Sequence, residues 1–135
     1  MHRRPERRVA SDFSKRFIGH VKLCFYVNGI SGKEIHVPKA DEINTLSVDR
    51  TSWMDLALGR FKKETIQIPY DIDQEYKDQL KAPVRIYKKD SSGNPVGKYD
   101  NGSNDDHYAH ARVYSEIALA LVNLGGNNED ITVEV

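Results

Sequence analysis

The sequence predicts an α/β fold, with helices layered on a sheet. Short β-branched and aromatic runs alternate with amphipathic segments of helical period, which is the pattern of layered α/β proteins. The 135 residues are 39% hydrophobic and 30% charged, a composition typical of a soluble globular domain. We therefore expect residues 1–135 to form a single domain.

A first helix is predicted at residues 5–18. Pro5 suits the first helical position, and Gly19 suits the residue that follows the helix. Between them apolar side chains recur every four residues, at Val9, Phe13 and Phe17. This spacing places them on one helix face, which we expect a sheet to cover.

Three short strands are predicted next. Residues 21–27, VKLCFYV, form an apolar run typical of a strand buried on both faces. Cys24 within this run is the only cysteine, so it forms no internal disulfide and is expected to be a core residue. The polar loop that follows is expected to contain a second strand at 34–37, and residues 46–48 to form a third.

A second helix is predicted at 52–62, capped by Thr51 or Ser52. We expect its apolar face to consist of Trp53, Leu56, Ala57 and Phe61. A strand at 65–68 and a short polar helix at 71–80 are expected to follow.

Two further β elements are predicted towards the C-terminus. Residues 84–99 favour a β-hairpin, because two β-prone runs flank DSSGN, whose glycine permits a tight turn. Residues 131–135, ITVEV, alternate in the manner of a final strand.

The last helix is predicted at 105–124. Ser103 or Asn104 can cap its start, and Gly125 and Gly126 would end it. We expect its buried stripe to consist of Tyr114, Ile117, Ala118, Leu121 and Leu124.

The charges of the chain balance. Lys plus Arg and Asp plus Glu number 20 each, so no net field draws the molecule to nucleic acid, and any such binding must be local. No apolar run reaches the roughly 18 residues that a membrane span needs, and no apolar signal segment follows the basic start. We expect a protein that binds no membrane and works in a cytoplasm.

The segment NDDHYAHA, residues 104–111, carries the most unusual chemistry. Asp105 and Asp106 would each interact favourably with the positive end of the helix dipole, but adjacent carboxylates also repel each other. One interpretation is helix capping. The other is binding of a hard cation such as Mg²⁺ or Mn²⁺, whose preferred protein ligands are carboxylate oxygens.

Two histidines of this segment, His107 and His110, are three residues apart and can share a helix face. With Asp106 they can form a transition-metal site, although no further ligand occurs at a recognisable spacing. The alternative is that His110 orients Asp106 through a hydrogen bond across one helical turn or packs beneath it.

Four segments of the chain stand in a particular order: a strand ending in YVNG, then DRTSWMDLALGRFKKETIQIP, the hairpin VRIYKKDSSGNPVGKY, and NDDHYAHARVYSEIALAL. In this order they resemble the C-terminal nuclease domain of tailed-phage large terminase subunits. The resemblance covers roughly residues 21–121. Its sharpest part is DDHYAHA, which is similar to the last acidic motif of that family.

The resemblance implies an RNase H-like mixed sheet flanked by helices, with the hairpin as an addition. It also implies a metal-dependent DNA endonuclease that cuts concatemeric viral DNA by two-metal hydrolysis, with Mg²⁺ or Mn²⁺ as cofactor. Asp106 would be the catalytic metal ligand, and Asp105 a second ligand or electrostatic support. His107 and His110 would support these carboxylates without binding the metal.

The partners implied by the family are double-stranded viral DNA, the terminase ATPase domain, the small terminase subunit and the portal. The location would be the host cytoplasm during phage assembly, or the cytoplasm of a bacterium that carries a prophage. Contacts to DNA phosphates are expected from Arg50, Arg60, Lys62, Lys63, Lys88 and Lys89. Each of these side chains also suits an ordinary solvated surface.

The first two acidic motifs of the family are not found in MHRRPERRVASDFSKRF, and the chain contains no Walker phosphate loop. We therefore expect the C-terminal part of a nuclease domain, from a truncated gene or a split protein, whose sheet lacks its first strands. Such a chain would be marginally stable or would self-associate. The alternative function is a catalytically silent module of the packaging machinery whose hairpin binds DNA or a capsid protein.

Overall fold

A computed structural model of the chain describes residues 5–37 and 44–124. The described residues contain both helices and strands, with a three-stranded mixed sheet, which confirms the predicted α/β class. The chain divides into two compact units, the first holding the described residues up to Asp49 and the second Arg50–Asn123. The predicted strand at 131–135, the predicted helix stop and the side chain of Leu124 lie outside the described residues.

The first unit contains a three-stranded mixed sheet of β1 (Leu23–Tyr26), β2 (Ile35–His36) and β3 (Thr45–Val48). β3 lies between the other two, parallel to β1 and antiparallel to β2. Leu46 and Val48 of β3 are buried. β1 is only half-buried along its length, so the expected burial on both faces is wrong, since β1 is an edge strand of the described sheet.

The first helix, α1 (Pro5–Arg16), buries a polar residue instead of its predicted apolar face. Ser14 is fully buried; its hydroxyl donates to the Ser11 carbonyl at 2.8 Å and accepts a hydrogen bond from the Asn44 amide. The exposed apolar side chains on and after the helix are Val9, Phe13, Phe17 and Ile18. Polar contacts therefore fix this helix within its unit.

The second unit contains three helices: α2 (Arg50–Lys62), α3 (Gln74–Lys81) and α4 (His107–Leu124). Thr51 and Ser52 lie inside α2, so the prediction that one of them caps it is wrong. The buried side chains of α2 are Trp53, Met54 and Ala57. No helix in the described ranges is both long and apolar enough to cross a membrane.

Residues 65–68 form no strand, contrary to the prediction. α2 ends in a Schellman motif, in which Glu64 adopts a φ of 55° and the Thr65 N–H donates to the Arg60 carbonyl at 3.0 Å. The segment that follows has β-prone residues but no strand partner among the described residues, and a strand forms only where its backbone can pair.

The predicted β-hairpin is present in the second unit. β4 (Val84–Lys89) and β5 (Pro95–Asp100) pair antiparallel in a separate two-stranded sheet. The Asp90 carboxylate accepts a hydrogen bond from the Asn94 N–H at 2.9 Å, and Gly93 adopts a φ of 82°. Both features are typical of a tight turn, because Asp bonds nearby backbone and glycine tolerates positive φ.

The buried stripe of α4 differs from the predicted one. Ala109, Val113 and Ile117, at four-residue spacing, are buried together with Glu116. Tyr114 and Ala118, which were predicted to be buried, are exposed, and Leu121 is half-buried. Apolar residues occupy most positions in the second half of this helix, so their periodicity does not single out one face.

Candidate functional site

The acidic segment lies directly before α4, not inside its first turn as predicted. The first helical hydrogen bond runs from the His110 N–H to the Asp106 carbonyl at 3.2 Å, so Asp106 is the N-cap residue. Ahead of it a turn closes, in which the Asn104 N–H donates to the Asn101 carbonyl at 3.1 Å. This turn brings Asp105 and Asp106 to the start of the helix.

Asp106 and His110 form a largely buried pair, with 13% and 19% of their side chains exposed. The Nε2 atom of His110 lies 3.0 Å from the Oδ2 atom of Asp106, one helical turn away. The imidazole therefore holds one carboxylate oxygen of Asp106 in place.

Asp105 and His107 lie apart from this pair. Their side chains are 78% and 82% exposed, and the His107 Nε2 atom is 3.8 Å from Asp105 Oδ1. Within the described ranges, no group of three or more His, Cys, Asp or Glu side chains is placed to hold a metal ion. The structure thus does not bring both histidines together as transition-metal ligands.

Gln79 of α3 is a site residue that sequence reasoning missed. Its Oε1 atom accepts a hydrogen bond from the Tyr108 N–H at 3.0 Å, and its side chain is buried. The prediction of Ser103 or Asn104 as the cap of α4 is therefore wrong, since the acceptor comes from another helix. α3 is a polar helix, and nothing in its local sequence distinguishes Gln79 as the residue that is buried and makes this contact.

A cleft of about 550 Å³ opens beside this cap, between α3 and the turn before α4. Its lining residues are Glu75, Asp78, Gln79, Lys81, Ala82, Asn104 and Asp105. Three carboxylates face one ammonium group there, so the local potential favours cations.

The six basic residues predicted to contact DNA divide into two groups. Arg50 donates from Nη1 to the Tyr99 carbonyl at 2.9 Å, and the Nε atom of Arg60 lies 2.5 Å from Glu116 Oε1. These two arginines thus hold elements of the second unit together. The exposed members of the set are Lys62, Lys63, Lys88 and Lys89.

A buried charge cluster joins α2 to α4. Glu116 is 5% exposed, and its Oε1 atom accepts a hydrogen bond from Arg112 Nη2 at 2.5 Å while also contacting Arg60. Burial alone would raise the pKa of Glu116, but the hydrogen bonds from Arg60 and Arg112 and their charges outweigh it and hold that pKa below its ordinary value. The carboxylate is therefore ionised and shared by two guanidinium groups.

A second polar cluster fixes the hairpin to α2. Asp55 accepts hydrogen bonds from Arg85 Nε at 2.9 Å, Arg85 Nη2 at 3.2 Å and the Tyr99 hydroxyl at 2.6 Å. Burial alone would raise the pKa of Asp55, but the hydrogen bonds from Arg85 and Tyr99 outweigh it, so the pKa of Asp55 lies below its ordinary value. The pKa of Tyr99 is raised to about 12, mainly by burial and also by the hydrogen bond to Asp55. The guanidinium of Arg85 lies across Gly97, where a Cβ would approach within 2.5 Å of it.

The geometry combines one oriented, largely buried carboxylate with an exposed second one at a helix start. Comparison of the chain with protein-family models, with curated proteins and with solved structures finds no match.

Proposed function

We propose that the chain is a metal-dependent DNA endonuclease domain, or a fragment of one, of the tailed-phage large terminase type, with an RNase H-like fold. The observation that carries the proposal is the Asp106 carboxylate, which is 13% exposed and held by His110 at the start of α4. The ordered segments that resemble this family supply the substrate class, double-stranded viral DNA. The ATPase domain, the small subunit and the portal are the proposed partners, in a host cytoplasm.

The donor chemistry fits a hard divalent ion such as Mg²⁺ or Mn²⁺. The imidazole of His110 engages Oδ2 of Asp106, and a carboxylate has lone pairs on both oxygens. Asp105, the preceding residue, is largely exposed, and its side chain would have to turn towards such an ion. Such ions take about six oxygen ligands, so the others would be water, DNA phosphate oxygens or acidic residues beyond the described ranges.

Each residue has a distinct part in this proposal. A bound divalent ion supplies Lewis-acid chemistry at the scissile phosphate. Asp106 would bind the ion, and Asp105 would add a second negative charge to the site. His110 would keep the Asp106 carboxylate in one orientation. The exposed Lys88 and Lys89 of the hairpin would contact DNA phosphates without reading sequence.

Nicking of supercoiled plasmid DNA tests the proposal. Wild-type protein with MnCl₂ or MgCl₂ is expected to nick the plasmid, and Asp106→Ala to reduce the rate by roughly 100-fold, because loss of a ligand removes the ion that the reaction needs. Asp12→Ala, an exposed aspartate of α1, is the matched control and should retain the activity. Equal nicking by the wild type and Asp106→Ala would assign the activity elsewhere. Absence of both nicking and Mn²⁺ binding in the wild type would refute the proposal.

A second candidate function is a catalytically silent DNA-binding module. Two observations favour it: no three-ligand metal group occurs within the described ranges, and the hairpin exposes Tyr87 beside Lys88 and Lys89. In this case DNA binding would need no divalent ion. The double variant Lys88→Glu with Lys89→Glu should bind DNA more weakly, and the slope of its log affinity against log salt concentration should be smaller by the equivalent of roughly two phosphate contacts. Lys33→Glu should change neither quantity.

A further inference from the structure

Gln79 performs a role that an N-cap aspartate ordinarily performs itself. The carboxylate of an N-cap Asp usually accepts the N–H of the second or third helical residue. In α4 the second residue is Tyr108, and its N–H donates to Gln79 Oε1 at 3.0 Å. The carboxylate of Asp106 instead lies against the His110 ring, at 3.0 Å. The Tyr108 N–H is thus bonded by the glutamine of another helix, while the Asp106 carboxylate contacts His110.

We propose that Gln79 is a positioning residue that caps α4 and thereby releases the Asp106 carboxylate from capping, so that it stays available to a divalent ion. The link to the ion rests on the proposed function, whereas the cap that Gln79 supplies is a contact of the described residues.

The surroundings of Gln79 suit such a role. Its side chain is 7% exposed, and its Nε2 atom donates to Glu75 Oε1 at 3.4 Å, so the orientation of the amide is fixed. The rings of Tyr76 and Tyr108 lie 5.2 Å apart and hold α3 against the first turn of α4. The acceptor is therefore in place before any ion binds.

Removal of this acceptor has a definite consequence. The Tyr108 N–H would lose this partner, and the acceptor that an N-cap position ordinarily supplies is the Asp106 carboxylate, which would turn from His110 to the helix N-terminus. The chain would keep most of its stability and lose the oriented carboxylate.

Mn²⁺ binding, followed by the electron paramagnetic resonance signal of the free ion, tests the first consequence. Gln79→Met is expected to weaken binding roughly tenfold, as loss of a residue that orients a metal ligand typically does. Gln79→Glu keeps an acceptor for the Tyr108 N–H and should bind Mn²⁺ at least as tightly as the wild type. Gln74→Met, an exposed glutamine of the same helix, is the matched control and should bind like the wild type. Equal Mn²⁺ affinity in Gln79→Met and Gln74→Met would overturn the proposal.

A double-mutant cycle tests the competition without any metal. The fall in melting temperature caused by Gln79→Met is expected to be roughly twice as large in an Asp106→Ala background, where the N-cap carboxylate is also missing. Hydrogen exchange of the Tyr108 amide should stay slow in Asp106→Ala alone, since Gln79 still accepts its hydrogen bond; this measurement does not require Gln79→Met to fold.

The two tests separate the two ideas. If the wild type binds no Mn²⁺ and nicks no DNA, the nuclease proposal fails, and the cap competition is decided by the cycle and the exchange rate. Additive melting shifts, or fast exchange of Tyr108 in Asp106→Ala, would overturn the role of Gln79 whatever the metal result.

Discussion

Glu116 is the residue whose replacement tests the packing of the second unit most directly. It lies in α4, nine-tenths or more of its side chain is buried, and one of its oxygens is shared by Arg112 and Arg60. We predict that Glu116→Leu strongly destabilises the chain, because two guanidinium groups then lose the carboxylate that they share, and that Glu116→Gln has a smaller effect because an acceptor remains.

The magnitude follows from the burial of the two partners. Breaking a buried ion pair by removing one member costs about 3–5 kcal/mol. Arg60 is 35% exposed and can regain water, whereas Arg112 is 14% exposed and cannot do so fully. We therefore expect about 3 kcal/mol for Glu116→Leu, near the lower limit, and about 1–2 kcal/mol for Glu116→Gln. The former corresponds to a fall in melting temperature on the order of 10 °C.

The pH dependence has a definite sign. Because the folded-state pKa of Glu116 is lowered, its contribution is complete above the unfolded carboxyl pKa of about 4.3 and is lost as the pH falls through the folded-state pKa below that value. The stability difference between wild type and Glu116→Gln should be constant near pH 7 and should shrink as the pH falls below about 4.

Thermal and urea unfolding at pH 7 and pH 3 measure both effects. Glu6→Gln, an exposed glutamate of α1, is the control and should stay within about 0.5 kcal/mol of the wild type. A Glu116→Leu variant within about 1 kcal/mol of the wild type at pH 7 would refute the reasoning, since it would mean that the arginines need no carboxylate.

Three further predictions concern other positions. Glu64→Gly should stabilise the chain by about 0.5–1 kcal/mol in urea unfolding, because glycine adopts the φ of 55° at the end of α2 without strain; an unchanged midpoint would contradict this. Gly97→Ala should push the Arg85 guanidinium away from Asp55 and raise the pKa of Asp55 in a carboxyl NMR titration, whereas an unchanged titration would show that Arg85 keeps its bonds to Asp55 despite the added methyl group. Burial raises the pKa of Cys24 to about 11, so its alkylation by iodoacetamide at pH 8 should be about 100-fold slower than that of a free thiol, and equal rates would show that the thiol is accessible.

The elements predicted most accurately are those that depend on neighbouring residues. The hairpin at 84–99 follows from the turn chemistry of Asp90 and Gly93, and the structure has the same turn. The predicted strand at 65–68 failed because a strand depends on a distant partner that local sequence does not reveal. The face of α1 failed for a related reason, since the buried Ser14 is bonded by Asn44, which is 30 residues away.

The candidate site shows the same division. The contact between Asp106 and His110 follows from helical geometry, because residues four apart lie on one face. The cap supplied by Gln79 joins residues 29 apart in sequence, and the engagement of Arg50 with the Tyr99 carbonyl joins residues 49 apart. No spacing rule anticipates such contacts, so the sequence indicated the Asp106 carboxylate and its histidine partner but not the cap that Gln79 supplies.

The polar attachment of α1 has a practical consequence for handling the protein. The exposed apolar surface on and after this helix consists of Val9, Phe13, Phe17 and Ile18. Salts such as ammonium sulfate strengthen hydrophobic association of such surfaces. The chain should therefore precipitate early in a sulfate gradient and bind phenyl resin at moderate sulfate concentration, which makes hydrophobic interaction chromatography an effective purification step.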